Sequence, residues 1–88
     1  MPNQCARNPA LNLSASTAAW NGWSPKSDNA RFQSALGSQL TAAQVSRLKL
    51  KWAFGLPKGE TNNAQPTVVS GRVFMAGDNG YIYSVDAK

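Results

Sequence analysis

The sequence predicts an all-β chain with a single short helix, and two patterns carry that prediction. The first is a set of three β-branched or aromatic runs in the last third, from Gln65 to Lys88, separated by two turn signals. The second is a strict apolar–polar alternation over Leu48–Phe54, the period of a half-buried strand.

In the last third, Gln65-Pro-Thr-Val-Val69 opens beside a proline, which can begin a strand but cannot donate within its interior. Ser70-Gly71 supplies a two-residue turn, its glycine free to take positive φ. Arg72–Ala76 is the second run. Gly77-Asp-Asn-Gly80 is turn chemistry throughout, because Asp and Asn bond their own backbone. Tyr81–Val85 is the third run, so the expectation is an antiparallel meander pairing in sequence order.

Upstream, Leu48, Leu50, Trp52 and Phe54 fall on one side of the alternating stretch, with Lys49, Lys51 and Ala53 on the other. Thr41 followed by Gln44 fits a capping box and predicts a helix over Ala42–Arg47 with Val45 and Leu48 facing inward. Gly55–Asn63 reads as a surface loop. Ser24–Gly37 reads as an extended connector in which Asp28 and Arg31 are near enough to pair, an exposed contact worth ~0–1 kcal/mol. Residues 1–19 are rich in Asn, Ala, Ser and Pro and read as irregular. Trp20 and Trp23 can each bury ~150–250 Å². They are expected to plug one end of a core, since a stacking platform would need convergent polar groups.

Composition narrows the function classes. A chain of 88 residues forms one small domain at most, burying roughly 60% of its unfolded surface. Hydrophobic content of 42% against 15% charged excludes a charge-rich disordered tail. No stretch approaches the ~20 apolar residues of a membrane span, and Met1–Arg7 lacks the apolar centre of a signal peptide. The net charge is +5, but the cations are scattered, and without a contiguous patch they describe a solvated face rather than a nucleic-acid site. A single-strand binder would also need an aromatic-plus-basic face, which the pattern does not supply. There is no histidine and one cysteine, Cys5. That excludes an internal disulfide, a haem-attachment motif and a Ser-His or Cys-His nucleophile. Cys5 reads as a free thiol or as half of a disulfide to another chain.

The ordered set Trp23, Asp28-Asn-Ala-Arg31-Phe32, Leu40-Thr-Ala-Ala-Gln-Val45 and Leu48–Phe54, followed by Gln65-Pro-Thr-Val-Val69, Gly71-Arg-Val-Phe74, Asp78-Asn-Gly80 and Tyr83–Lys88, resembles the N-terminus of pyrroloquinoline-quinone (PQQ)-dependent alcohol dehydrogenases. Within them it is most similar to the polyvinyl-alcohol dehydrogenase branch. The resemblance covers about residues 20–88, with residues 1–19 as a lead-in. It implies a β-propeller, of which this chain would hold only a part. The meander would be the three inner strands of the first blade, and Lys49–Phe54 would be the strand that closes the ring on the last blade. A detached tryptophan strand suits that role. The alternative is that this strand fills the vacant edge beside Tyr81–Val85.

The sequence stops at Asp86-Ala-Lys88, short of the Asp-Ala-x-Thr-Gly turn usual in the family, and so reads as an N-terminal piece. The resemblance further implies PQQ and calcium as cofactors, an alcohol substrate, electron transfer to a cytochrome c and a periplasmic location. The calcium ligands and the catalytic base would come from later blades. Asn63 and Gln65 are the candidate PQQ contacts. Asn63 stands where many relatives carry a glutamate, so it retains hydrogen bonding without the charge. As an alternative, Asn63 is a plain loop residue. A reading from another class makes the chain part of a non-catalytic propeller scaffold, but the lead-in Trp20–Phe54 favours the enzyme.

Overall fold

A computed structural model of the chain describes residues 4–13, 19–59 and 61–88. Ser70 and Gly71 both have positive φ, 50° and 73°, the signs a type I′ hairpin turn requires. They join β2 (Thr67–Val69) to β3 (Arg72–Ala76) in antiparallel register, with Val69 opposite Arg72 and Val68 opposite Val73. The second turn closes by a hydrogen bond from Gly77 N to the Tyr81 carbonyl (2.9 Å), and Asn79 Oδ1 accepts from Tyr81 N (2.9 Å). Gly80 takes φ of 84° there. β4 (Ile82–Asp86) then pairs along the whole of β3, from Arg72–Asp86 to Ala76–Ile82. The three expected runs thus form a meander in sequence order, with strand limits moved by one or two residues.

The fourth strand was not anticipated. Trp20–Asn21 forms a two-residue β1 paired antiparallel with β2, giving one sheet in the order β1-β2-β3-β4. Residues paired across strands share a face, so the register places Trp20, Val68, Val73 and Val85 in one row across the sheet. Met75 and Tyr83 extend that row by one rung. The opposite face carries Asn21, Thr67, Phe74 and Ser84.

Several expectations are corrected. Lys49–Phe54 is not a strand: it pairs with no described strand and runs as irregular chain. Leu48 and Leu50 are exposed, while Trp52 Nε1 donates to the Ala87 carbonyl (3.2 Å) and the Phe54 ring lies 5.5 Å from that of Tyr83. The segment therefore lies beside β4 through side chains only, and the outer backbone edge of β4 gains no ladder from it.

The connector Ser24–Gly37 contains the start of a helix, α1 (Ala35–Ser38), capped by Ser34, whose Oγ accepts from Gly37 N (3.0 Å). α2 (Ala42–Val45) starts at Thr41 as expected. Gln44 Oε1 accepts from Thr41 N (2.7 Å) and from Thr41 Oγ1 (3.0 Å), but the helix is shorter than Ala42–Arg47. Val45 and Leu48 face solvent rather than the interior. Residues 4–13 and Ala19 carry no helix or strand; residues 1–3 and 14–18 of the lead-in lie outside the described residues. A single 3-10 turn, Pro57–Gly59, interrupts the loop before β2.

Among the described residues no hydrophobic side chain is fully buried. The accessible surface is 7356 Å², against roughly 5,000 Å² for a packed monomer of this mass. The apolar row is thus only half covered, and the described residues form no closed core for the two tryptophans to plug.

The turn yields a test by contrast. A Cβ at Gly71 would meet nothing within 4 Å, so any penalty is conformational. Gly71→Ala should destabilise the sheet by about 1–2 kcal/mol. Gly55→Ala, also in open space but without positive φ, should stay within about 0.5 kcal/mol. Urea titration followed by far-UV circular dichroism compares the two.

Candidate functional site

At one end of the sheet β2 begins, β3 ends and β4 begins. The chain entering β2 is tied to the loop between β3 and β4 by a hydrogen bond from Asp78 N to the Thr61 carbonyl (3.1 Å). Asn62 Oδ1 then accepts from Ala64 N (2.9 Å), an Asx turn that bends the backbone. Asn63 and Gln65, the two residues singled out from the sequence, follow on this bend and are exposed. Their side chains make no hydrogen bond to any described residue. Each amide keeps two donors and an acceptor for a ligand, without charge.

The sequence did not single out the loop facing them as part of a site. Asp78 and Asn79 are exposed there, read only as turn formers because turn chemistry alone accounts for them. The signal that would have joined the two segments is the hairpin register, which carries the 77–80 loop back to the start of β2. No cluster of three or more His, Cys, Asp or Glu side chains suited to a metal ion occurs among the described residues.

The two tryptophans form a separate corner. Asn21 N donates to the Ser24 carbonyl (2.9 Å), Gly22 takes φ of 72°, and Trp20 Nε1 donates to the Gly22 carbonyl (2.6 Å). Ser24 is the one buried residue described, 1% exposed, and its Oγ donates to Asp28 Oδ1 (2.8 Å). Asp28 also accepts from Ala30 N (3.1 Å). The expected Asp28–Arg31 contact gives way to this arrangement, and Arg31 instead lies 4.8 Å above the Trp23 ring. Trp23 stays 49% exposed, so it caps the corner rather than a core.

A third feature is an open groove of about 1020 Å³ along β4, whose lining includes Trp52, Phe54, Tyr83, Val85, Cys5 and Asn8. Cys5 is an exposed free thiol there.

With that geometry in view, the comparisons with known proteins are decisive for kinship. Over 80 residues, 91% of its length, the chain is 46% identical to a polyvinylalcohol dehydrogenase of Pseudomonas sp. Over 86 residues, 97% of its length, it is 41% identical to a polyvinylalcohol dehydrogenase of Sphingopyxis sp. (strain 113P3). Its sequence relatives are polyvinylalcohol dehydrogenases. The longer match takes in 97% of the chain, so the tryptophan corner, Asn63 and Gln65 fall within the similarity to these dehydrogenases. The chain spans about 12% of the length of each of them. No protein-family model matches the chain, and no solved structure does so significantly. No helix described is long and apolar enough to cross a membrane.

The corner carries a pH test. The Ala30 amide and then the Ser24 hydroxyl hold the Asp28 carboxyl below its ordinary value. A depressed folded value means the carboxylate's contribution is fully present above the unfolded pKa and is lost as pH falls through the lower, folded one. Tryptophan fluorescence should therefore change in acid below the ordinary carboxylate range. Asp28→Asn should remove that transition, and an identical acid profile in the variant would refute the assignment.

Proposed function

We propose that this chain is part of a PQQ-dependent dehydrogenase that oxidises the alcohol groups of polyvinyl alcohol. The observation that carries the reading is the 46% and 41% identity to two polyvinylalcohol dehydrogenases over nearly the whole chain. In this reading residues 20–88 begin a β-propeller and β2–β4 are the inner strands of its first blade. An antiparallel sheet in which β2, β3 and β4 pair in sequence order is compatible with that arrangement. Residues 1–19 are the lead-in, and the calcium ligands and the base toward the alcohol lie on further blades. Electrons pass to a cytochrome c, and the protein works in the periplasm. Nothing observed favours the competing reading, a non-catalytic propeller scaffold.

PQQ supplies the two-electron oxidant when bound. Its carboxylates and quinone oxygens are hydrogen-bond acceptors, which suits the uncharged amide donors of Asn63 and Gln65 at the start of β2. Both side chains are exposed and uncommitted to described residues, so they fit such a ligand without rearranging the sheet. Their part is to bind and orient.

Two measurements test the proposal. In the protein carrying the remaining blades, Asn63→Leu should weaken PQQ retention by up to about tenfold, the worth of one hydrogen bond, with the circular dichroism spectrum unchanged. Unaltered PQQ affinity on titration would retire the site. The 88-residue chain alone, supplied with PQQ and calcium, should not reduce dye with polyvinyl alcohol as donor, because affinity and rate depend on groups prepositioned from many elements. Turnover by the chain alone would overturn the division of labour.

A further inference from the structure

Turn chemistry accounts for the loop between β3 and β4 except for one carboxylate. Asn79 Oδ1 accepts from Tyr81 N (2.9 Å), and Gly80 N donates to the Gly77 carbonyl (3.3 Å). Asp78 is exposed, and its side chain makes no hydrogen bond or ion pair with any described residue. An aspartate at a turn ordinarily bonds the backbone two residues on. Asp28 does so with Ala30 N (3.1 Å), and Asp86 with Lys88 N (2.8 Å). Asp78 does not, because Gly80 N is already turned to Gly77. The chain carries nine Lys and Arg against four Asp and Glu, yet no described cation pairs with it.

The backbone fixes where this carboxylate stands. Asp78 N donates to the Thr61 carbonyl (3.1 Å), tying the loop to the chain that enters β2. Asn63 follows two residues later, and extended chain covers at most ~3.3–3.6 Å per residue, so it lies within ~7 Å of the tie. Asn63 and Gln65 are exposed and likewise make no hydrogen bond to any described residue. The other end of the sheet differs, because its polar side chains are committed. There Arg72 donates to Asn8 Oδ1 (2.9 Å) and to the Pro9 carbonyl (2.5 Å), and the Ser70 hydroxyl donates to the Asn12 carbonyl. In a propeller a further strand pairs along β4 and neighbouring blades pack on the sheet faces around the channel. Neither covers a strand end.

One uncommitted carboxylate beside two uncommitted amides suits a neutral ligand with many hydroxyls. A carboxylate only accepts, whereas an amide accepts through oxygen and donates through nitrogen. Hydroxyls do both, and their bonds to an ionised acceptor are the stronger kind. The carboxylates of PQQ would be repelled by Asp78, so this residue falls to the substrate rather than the cofactor. A polyhydroxylic chain repeats its hydroxyl at regular intervals, so one can bond here while another reaches the oxidant. A small alcohol with a single hydroxyl cannot do both. We propose, resting on the dehydrogenase reading, that Asp78 is a polymer-binding residue. Its carboxylate accepts a hydrogen bond from a hydroxyl of polyvinyl alcohol other than the one being oxidised, and so favours the polymer over small alcohols.

The test uses the protein carrying the remaining blades and two electron donors, polyvinyl alcohol and propan-2-ol. Asp78→Ala should raise KM for the polymer by about tenfold or more, the worth of a hydrogen bond to a charged group. Its kcat with the polymer and both constants for propan-2-ol should not change. Asp78→Asn keeps a neutral acceptor and the turn preference, so its polymer KM should fall between those of the parent and Asp78→Ala. An unchanged polymer KM in both variants would overturn the assignment. So would an equal rise for propan-2-ol, which marks damage to the shared site. Where Asp78→Ala fails to fold, Asp78→Asn decides between the same outcomes. Calorimetric titration with polyvinyl alcohol needs no turnover and separates this residue's role from the dehydrogenase reading. Polymer binding weakened by the variants, in a protein that takes up no PQQ, sinks the cofactor reading and keeps the polymer contact. Normal PQQ uptake with polymer binding unaltered in the variants sinks the polymer contact alone.

Discussion

The register set at Ser70-Gly71 is the constraint on which the rest of the sheet depends. A slip of one residue in β3 against β2 would move every side chain of one strand to the other face. As it stands, Val68 meets Val73, Val73 meets Val85, and Trp20 joins the same row through Val68. Both turn residues sit at positive φ, which glycine adopts freely but serine does not. The hydroxyl of Ser70 reaches Asn12 from that conformation, so the strained residue also anchors the lead-in. The same register carries the 77–80 loop to the entrance of β2 and brings Arg72 opposite Asp86.

The row so formed is apolar but thinly covered. Phe54 leans on Tyr83 and Trp52 is tethered to Ala87, yet no hydrophobic side chain described is fully buried. Burial is worth roughly 25 cal/mol per Å², so half-buried valines give the sheet only part of the stability their type could supply. Hydrogen bonds and turn geometry therefore carry an unusual share of the organisation. This explains why single polar residues such as Ser24, Asp28 and Arg72 each hold a distinct piece of chain in place.

What could be read from the sequence divides along the same line. The meander was legible because its turns are specified locally, by Ser70-Gly71 and by Gly77–Gly80, and local chemistry needs no partner to be recognised. The helix start at Thr41 was legible for the same reason. The strand over Lys49–Phe54 was not, because alternation says only that one side of a segment is apolar, whereas a strand exists by pairing with another. Here that side meets β4 through two rings and an indole N–H instead of a backbone ladder. β1 has two residues and α1 four, too few to show any period. Asp28 and Arg31, read from the sequence as able to pair, each take another partner: the Ala30 amide and Ser24 hydroxyl for the one, the Trp23 ring for the other. The position of Asn63 and Gln65 at the start of β2 was legible, and so was the kinship with polyvinylalcohol dehydrogenases. The loop opposite them was not, since only the register brings it there.

The chemistry of the two sheet ends follows from this division. The end that holds Ser70, Arg72, Asp86 and Lys88 carries charges, and Arg72 and Ser70 are spent on the lead-in. The end that holds Asn63 and Gln65 offers neutral amides, each a directional donor worth about 0.5–1.5 kcal/mol net. One such contact changes an affinity by about tenfold at most. An end of this kind cannot hold a polar cofactor firmly by itself. In the proposed reading it orients a cofactor gripped by many groups converging from other elements, and amides suit that task because they fix direction without imposing a charge that a neighbouring metal or carboxylate would have to balance.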